Sequence, residues 1–297
     1  MNGFLNINKP AGMSSAAVVG TLKRLTGEKR VGHAGTLDPE AAGVLPIMLG
    51  RATRLFDYLV DKEKVYEAVC AFGTATDTQD ATGTVTARGD DYPDRDRVLE
   101  ALPALTGDIL QTPSMYSAIK VGGRPLYSLA RKGIEAEVPQ RQVHVERIEL
   151  LGEAPDHGWR LRVTCGKGTY IRSICHDLGG ICGCPAHMRS LRRTRSGVFT
   201  LEEALTLEEA AGLAAENRLA ERLIALDAPL GRLRRMEADP ALAKRVAAGA
   251  RLPLECMRGE APEEGGVTRV YLDGRFWGMA ARQEDQLVWK AQIPPEK

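Results

Sequence analysis

The stretch Gly32-His33-Ala34-Gly35-Thr36-Leu37-Asp38-Pro39-Glu40 constrains the backbone most. The ring of Pro39 biases Asp38 away from the right-handed helical region. Gly32 and Gly35 let the main chain approach a neighbouring surface, since no Cβ stands in the way. A carboxylate on so stiff a corner is held at one angle, as a nucleophile or a base needs to be. The same residues also read as a helix start, with Asp38 as the capping oxygen, Pro39 in the first turn and Glu40 near the positive end of the dipole. Structural cap and reactive carboxylate both stand at this point, and the choice rests on the remaining chain.

With 297 residues, of which 43% are apolar and 27% charged, the chain has the composition of a globular protein with one large domain and a small one. No basic start precedes an apolar segment, so no signal peptide is expected. The longest apolar run, Ala41 to Leu49, is broken by Gly43 and Pro46 and is too short to cross a membrane. Six cysteines in a chain of this length do not make a disulfide framework, and they are expected as reduced thiols in the cytoplasm. Cys175, His176, Cys182, Cys184 and His187 raise the thought of zinc. Cys182 and Cys184 are only two apart, however, and the spacing fits none of the common tetrahedral frameworks, so no metal is expected. The net charge of +1 neither demands nor excludes nucleic acid. Basic residues do cluster, at Arg189, Arg192, Arg193 and Arg195, at Arg232, Arg234 and Arg235, and more loosely at Lys120, Arg124, Arg131 and Lys132. Such runs suit phosphate groups or a solvated face.

Periodicity places a strand over residues 4–8 and a helix capped by Ser14 or Ser15, with Val18, Leu22 and Leu25 on one face and a stop at Gly27. Val65 to Phe72 reads as a strand, Thr74 to Gly83 as a polar loop and Thr84 to Ala87 as a short strand. Residues 95–106 read as a helix kinked or ended by Pro103. Further on, Tyr116 to Val121 reads as a strand, followed by a Gly-Gly turn and a helix from Pro125 to Gly133. Gln142 to Leu150 and Trp159 to Cys165 form a strand pair. Gly166 opens a short helix with Ile171, Ile174 and Leu178 buried. Thr200-x-x-Glu203 and Thr206-x-x-Glu209 are capping-box patterns that introduce helical sequence to about Leu226. Periodicity is lost from Asp227 to Asp239, which marks a domain boundary. Beyond it come a short helix from Asp239-Pro240 to Gly249 and strands at Val267 to Leu272, Arg275 to Ala281 and Gln286 to Ala291, the pattern of a small barrel-like module.

Five ordered blocks carry a resemblance. Asn6-Ile7-Asn8-Lys9-Pro10 with Gly12-Met13-Ser14-Ser15 comes first, followed by Gly32 to Pro39 with Gly43-Val44-Leu45-Pro46. Then come Lys64-Val65-Tyr66 with Thr76-Asp77-Thr78-x-Asp80-x-x-Gly83, Gln111-x-Pro113-x-x-Tyr116-Ser117-Ala118-x-Lys120, and Gly166-Lys167-Gly168-Thr169-Tyr170-Ile171-Arg172. Over residues 3–200 this pattern resembles the tRNA pseudouridine-55 synthases, the TruB family. The resemblance implies a mixed α/β (α+β) catalytic domain at 1–228, with a largely antiparallel central sheet flanked by helices and an RNA-clamping insertion at about 111–141. It also implies a small PUA-like, RNA-binding domain at 236–297. The implied reaction isomerises uridine 55 in the T-loop of tRNA on a flipped-out nucleotide, without cofactor, in a monomer that requires no protein partner and has no membrane role.

Carried over residue by residue, Asp38 is the catalytic carboxylate. Tyr66 stacks on the target base and is placed for proton transfer, and Arg172 pairs with Asp38. Tyr170 and Leu191 are pocket walls, His33 accompanies the flipped base, and Lys9 and Pro10 lie beside the pocket. Each has a plainer reading: Tyr66 as a half-buried strand aromatic, Arg172 as an exposed helix charge, Tyr170 and Leu191 as core, His33 as a satisfied polar residue, Lys9-Pro10 as a strand end. The resemblance leaves open whether Asp38 attacks the sugar, attacks the base or removes a sugar proton. Two other readings use the same residues: an RNA-binding or RNA-folding protein without catalysis, and a hydrolase pairing Asp38 with Asp77 or Asp80 across one bond.

Overall fold

The computed structural model describes all residues other than 61, 118, 135 and 295–297. Its strands up to the clamp region are β1 (Gly3–Lys9), β2 (Val31–His33), β3 (Ala42–Leu49), β4 (Lys64–Phe72), β5 (Thr74–Thr76), β6 (Val85–Arg88), β7 (Gly107–Gln111), β8 (Lys120–Val121) and β9 (Arg124–Pro125). Then follow β10 (Arg141–Ala154), β11 (Gly158–Cys165), β12 (Ala186–Ser196) and β13 (Phe199–Thr200). The helices of this part are α1 (Ser15–Thr26), α2 (Asp57–Val60), α3 (Arg95–Ala101), α4 (Leu126–Ala130), α5 (Ile171–Ile181) and α6 (Leu207–Ala215). One sheet runs in the order β1-β3-β12-β4-β11-β10-β7, with β2 added to β3 and β13 to β12. Every neighbouring pair is antiparallel except β12 and β3, which run parallel. The fold class is thus the mixed α/β arrangement expected.

Burial explains the layers. The stripe Ile171, Ile174 and Leu178 of α5 packs on Cys70 and Phe72 of β4, while Val18 and Leu22 of α1 cover Leu5 and Ile47 on β1 and β3. Ser14 accepts from the Ala17 N–H and Gly27 closes α1 in the left-handed conformation, as the sequence suggests. A second sheet holds β14 (Arg234–Ala238), β15 (Leu252–Pro253), β16 (Met257–Arg258), β17 (Val267–Leu272), β18 (Arg275–Gln283) and β19 (Gln286–Gln292), in the order β15-β19-β18-β17-β14-β16, with α7 (Ala243–Ala247) beside it. It packs through Met279, Ala291 and Ile293 against Phe4 and Val44 of the first sheet and Leu55 of the 3-10 turn that follows β3. Among the described residues no helix is long and apolar enough to cross a membrane.

Several expectations are corrected. Asp38 caps no helix: the Ala41 N–H donates to the Asp38 carbonyl at 3.1 Å, closing a turn, and β3 starts at Ala42. The apolar run that follows is needed as a strand buried on both faces, so Pro39 shapes a turn. Thr200-x-x-Glu203 starts no helix either, because Leu205 pairs through its backbone with Asn6 and Asn8 of β1. Helical sequence does not run to Leu226; α6 ends at Ala215 and a 3-10 turn spans Leu219–Arg222. The expected strand from Tyr116 shrinks to β8, which pairs with β9 around Gly122 and Gly123, both at positive φ. Pro103 acts as expected, since α3 gives way to a 3-10 turn at Leu102–Leu105.

Strand β12 escapes the sequence reading altogether. Its arginines hide the buried set Ala186, Met188, Leu191, Arg193 and Ser196, and irregularities between Met188 and Ser190 and between Arg193 and Arg195 break the alternation. The run Arg189 to Arg195 is therefore no simple phosphate-facing patch. Arg189 donates to the Pro155 and Asp156 carbonyls, Arg193 is buried, and Arg195 pairs with Glu63.

Gly43 sits at φ +105° opposite Arg193 in the parallel pairing, where an added Cβ would overlap the Arg193 carbonyl oxygen. Gly43→Ala is expected to destabilise the protein by about 3 kcal/mol through backbone strain and overlap. Urea unfolding reads it; a midpoint equal to that of the wild type would remove this account of the β3–β12 contact.

Candidate active site

Asp38 projects from the turn between β2 and β3, and that turn is gripped from three sides. The ammonium of Lys9, at the end of β1 and fully buried, donates to the carbonyls of Pro10, Met13 and Pro39. Gly12 adds an N–H to the Pro39 carbonyl at 2.9 Å. The Ser15 hydroxyl both accepts from the Leu37 N–H and donates to the Leu37 carbonyl, at 2.9 and 3.0 Å. Arg193 of β12 reaches across and donates from Nη2 to the Gly35 carbonyl at 3.0 Å. The corner that the Asp-Pro pair predicts is thus fixed by main-chain acceptors on both sides of Asp38.

Arg172, in the first turn of α5, meets Asp38 with Nε at 3.1 Å from Oδ2. It is no exposed helix charge. Its side chain is 7% exposed, against 40% for Asp38, so the cation is rigid and the carboxylate faces the open space. Nη1 donates to the Thr78 carbonyl at 3.1 Å and lies 3.4 Å from the Ser114 hydroxyl and 3.5 Å from Asp80 Oδ2, while Nη2 donates to the Tyr116 carbonyl at 3.1 Å. Asp80, which the hydrolase reading offers as a reacting partner of Asp38, is instead part of the frame around Arg172. Its Oδ1 accepts from the Thr78 and Thr82 hydroxyls and the Thr82 N–H, so its charge is spent inside the protein. Asp38 and Asp80 share one guanidinium, and Asp77 turns to the Thr84 N–H and the Tyr116 hydroxyl. Neither makes the pair of carboxylates across an open gap that a hydrolase requires.

A cavity of about 270 Å³ opens beside Asp38, with Tyr66, Tyr170, Arg172, Leu191 and Arg193 in its wall. Tyr66 of β4 lies opposite Arg193 of β12 in the sheet register. Its phenol titrates above the ordinary range because burial disfavours the phenolate, an effect the Arg193 guanidinium partly offsets. Tyr170 is fixed through its backbone: Gln111, fully buried at the end of β7, accepts from its N–H at 2.9 Å and donates to its carbonyl at 3.1 Å. A wider cleft of about 700 Å³ shares Asp38 and Arg172 with the cavity and adds His33, Tyr116, Tyr127 and Arg131. Burial and the Arg193 charge lower the His33 pKa, which keeps the imidazole neutral near pH 7.

Asp38, Tyr66, Arg172, Tyr170 and Leu191 therefore converge on one cavity, with His33 at the adjoining cleft. Lys9 and Pro10 do not line either space; Lys9 lies behind the Asp38 turn and Pro10 is exposed. Arg193 is absent from the sequence-derived site, and Asp80 enters it only as the hydrolase partner. Arg193 sat inside what read as a surface arginine run, and the signal that finds it is its place two residues after the buried Leu191. Cys70, Cys175, Cys182 and Cys184 are buried thiols of the core, and among the described residues no group of three His, Cys, Asp or Glu side chains is placed to hold a metal ion.

Comparison with known proteins agrees with this geometry. Residues 23–171 match the family model "TruB family pseudouridylate synthase (N terminal domain)", and residues 172–236 match "tRNA pseudouridylate synthase B C-terminal domain". A tRNA pseudouridine synthase B of Bacillus licheniformis is 46% identical over 84% of this chain and 82% of its own length. Proteins of the same name from Aromatoleum aromaticum and Dehalococcoides mccartyi are 43% and 44% identical over 94% and 97% of this chain, and 88% and 95% of theirs. Among solved structures, a chain from a Cbf5-Nop10-Gar1 complex superposes with a TM-score of 0.75 at 26% identity, covering 99% of this chain and 84% of that one.

Burial lowers the Lys9 pKa from 10.5 to about 8, against the pull of Glu40 and Asp38 in the other direction. The folded value lies below the unfolded one, so the unfolded chain binds more protons between the two, and linkage adds stability as pH rises through that window. The stability of the wild type relative to Lys9→Met is expected to increase between about pH 7 and about pH 10. Urea titrations at both pH values measure it, and a difference that stays constant would contradict this assignment.

Proposed function

The chain belongs to the TruB family of pseudouridylate synthases, and we propose that Asp38 is the carboxylate with which it converts uridine 55 in the T-loop of tRNA to pseudouridine. The protein is a tRNA pseudouridine synthase, an isomerase: the C1′–N1 bond of uridine is broken, a C1′–C5 bond is made, C5 loses a proton and N1 gains one. The observation that carries the residue assignment is the exposed Asp38 carboxylate on a buried Arg172, at the mouth of a cavity with an aromatic wall. A carboxylate held this way needs no further activation to act near neutral pH, since an ordinary Asp is ionised there.

In this reading Tyr66 stacks on the base and serves its proton transfer, Tyr170 and Leu191 shape the pocket, and His33 accompanies the flipped nucleotide. Lys9 and Pro10 serve the site from behind, by holding the turn that carries Asp38. The clamp at 111–141 brings Tyr116, Tyr127 and Arg131 to the cleft, where aromatic and cationic side chains suit an RNA loop with splayed bases. Extruding the target costs a few kcal/mol, which stacking and backbone contacts offset. Residues 1–228 form the catalytic domain and 236–297 a PUA-like module for RNA, in a cytoplasmic enzyme that acts as a monomer without a protein partner. Solved structures of similar fold include H/ACA ribonucleoprotein complexes, so the monomer is a point for direct measurement by sedimentation.

Asp38→Asn is expected to fold, to bind an unmodified T-stem-loop and to lose isomerisation by at least about a thousandfold. Chemical mapping of pseudouridine after incubation with the RNA reads the outcome. Normal conversion by the variant would overturn the role of Asp38.

A further inference from the structure

Arg172 and Arg193 both stand in the cavity wall, yet their charges are treated differently. Arg172 lies against two carboxylates, Asp38 and Asp80. Arg193 is 1% exposed, and among the described residues no carboxylate lies within ion-pair distance of it. Its Nε donates to the Val44 carbonyl at 2.7 Å and its Nη2 to the Gly35 carbonyl at 3.0 Å. A guanidinium has five N–H donors, so two neutral acceptors leave most of its hydrogen-bonding capacity unused. The Tyr66 side chain also meets the guanidinium, with its hydroxyl sharing a hydrogen bond and its ring centroid 6.0 Å from Cζ, and the Arg193 side chain borders the cavity. Burying a charge without a counter-charge costs several kcal/mol, and unmet donors add to that. Bracing a strand and a turn would not require this charge, since neutral donors serve main-chain carbonyls as well.

Asp38 is the sole carboxylate in the described wall of this cavity, against Lys64, Lys167, Arg172 and Arg193. An anion made inside it meets a cationic lining. The reaction assigned above makes one. When C1′–N1 breaks with its electron pair going to the base, negative charge spreads over N1 and the carbonyl oxygens of the uracil. The sugar carbon is meanwhile held either by a bond to an Asp38 oxygen or as an unsaturated sugar after its C2′ proton passes to Asp38. The C5=C6 pair then forms the C1′–C5 bond as the bond from C1′ to the Asp38 oxygen breaks or, for the unsaturated sugar, as Asp38 returns its proton to C2′; the C5 proton leaves, and N1 is protonated. The detached base is the species richest in negative charge, and it must stay in place while it turns.

Resting on the reading of this site as a uridine isomerase, we propose that Arg193 is a further catalytic residue, whose guanidinium, beside the Tyr66 hydroxyl in the cavity wall, binds a carbonyl oxygen of the detached uracil and stabilises its negative charge. Preorganised donors aimed at charge that develops during a reaction, in a water-poor site, are among the strongest contributors to rate. The two carbonyls held by Nε and Nη2 supply the preorganisation: Val44 and Gly35 fix the plane of the guanidinium, so its remaining edge is presented at one angle. Tyr66 and Leu191, in the same cavity wall, keep the base against that edge.

The test pairs Arg193→Met, close in length but neutral, with T-stem-loops carrying uridine, 2-thiouridine or 4-thiouridine at the target. Sulfur accepts hydrogen bonds more weakly than oxygen. Conversion by the wild type on the uridine loop establishes the underlying isomerase reading, and its absence there would sink that reading instead. On uridine, Arg193→Met is expected to lower the single-turnover rate at saturating RNA by at least about tenfold, with RNA affinity within about twofold of wild type. On the thio target that removes the contacted oxygen, the loss caused by the substitution is expected to shrink to about twofold or less. A folded, RNA-binding variant that converts uridine at the wild-type rate overturns the proposal. So does an equal loss on all three targets, which marks a purely structural role. Should Arg193→Met fail to fold, Arg193→Gln takes its place in the same cycle. It keeps amide donors for the main-chain carbonyls and loses the charge, and the same two outcomes decide.

Discussion

The Arg172 guanidinium is the joint on which the site depends. It takes the Asp38 carboxylate from the β2–β3 turn, Thr78 and Asp80 from the loop after β5, and Ser114 and Tyr116 from the segment entering the clamp. Three stretches remote in sequence are thereby set at fixed distances from one side chain in the first turn of α5. A planar fork with donors in several directions does this in a way an ammonium does not. The arrangement also decides which partner stays reactive. Asp80 is saturated by hydroxyl and amide donors from Thr78 and Thr82, whereas Asp38 keeps its outer face open. One cation thus holds a structural carboxylate and an available one.

The remainder of the fold can be seen as support for that joint. α5 is held against β4 by Ile171, Ile174 and Leu178, and Gln111 clasps the Tyr170 backbone immediately before it. The Asp38 turn is fixed independently, through Lys9, Gly12 and Ser15 on one side and Arg193 on the other. Carboxylate and guanidinium are therefore brought to 3.1 Å by two separate sets of contacts. Their meeting is a result of packing, and little of the ordering cost falls on the pair itself.

How much of this the sequence disclosed depends on where the controlling interaction lies. Local signals served well: Ser14 and Gly27 bound α1, Pro103 ends α3, and the stripe of α5 points inward. The ordered motifs also led to Asp38, Tyr66, Tyr170 and Arg172, which the structure gathers around one cavity. What failed was set by distant partners. The local signs of a helix at Asp38 were sound, but the segment after it is needed as a doubly buried strand, and tertiary demand overrode the cap. β12 went unread because bulges disturb its period and arginines occupy positions that look exposed. Nothing within a few residues of Arg193 reveals that Val44 and Gly35 await its donors.

That last failure bears on charge more generally. A run such as Arg189 to Arg195 looks uniform, yet its members do unrelated work. Arg189 closes a turn, Arg195 meets Glu63 near the surface, and Arg193 enters the wall of the cavity. The irregularities between Met188 and Ser190 and between Arg193 and Arg195 shift the alternation of the strand, so arginines at positions of equal parity part company before their charges matter. Where the side chain emerges fixes the dielectric around it, and with that the worth of its charge: screened and weak at the surface, strong in the cavity wall. The parallel contact between β3 and β12, which a glycine at position 43 makes possible, is what brings the Arg193 side chain to the Asp38 turn. A backbone requirement of the sheet thus determines which arginine of the run can influence chemistry.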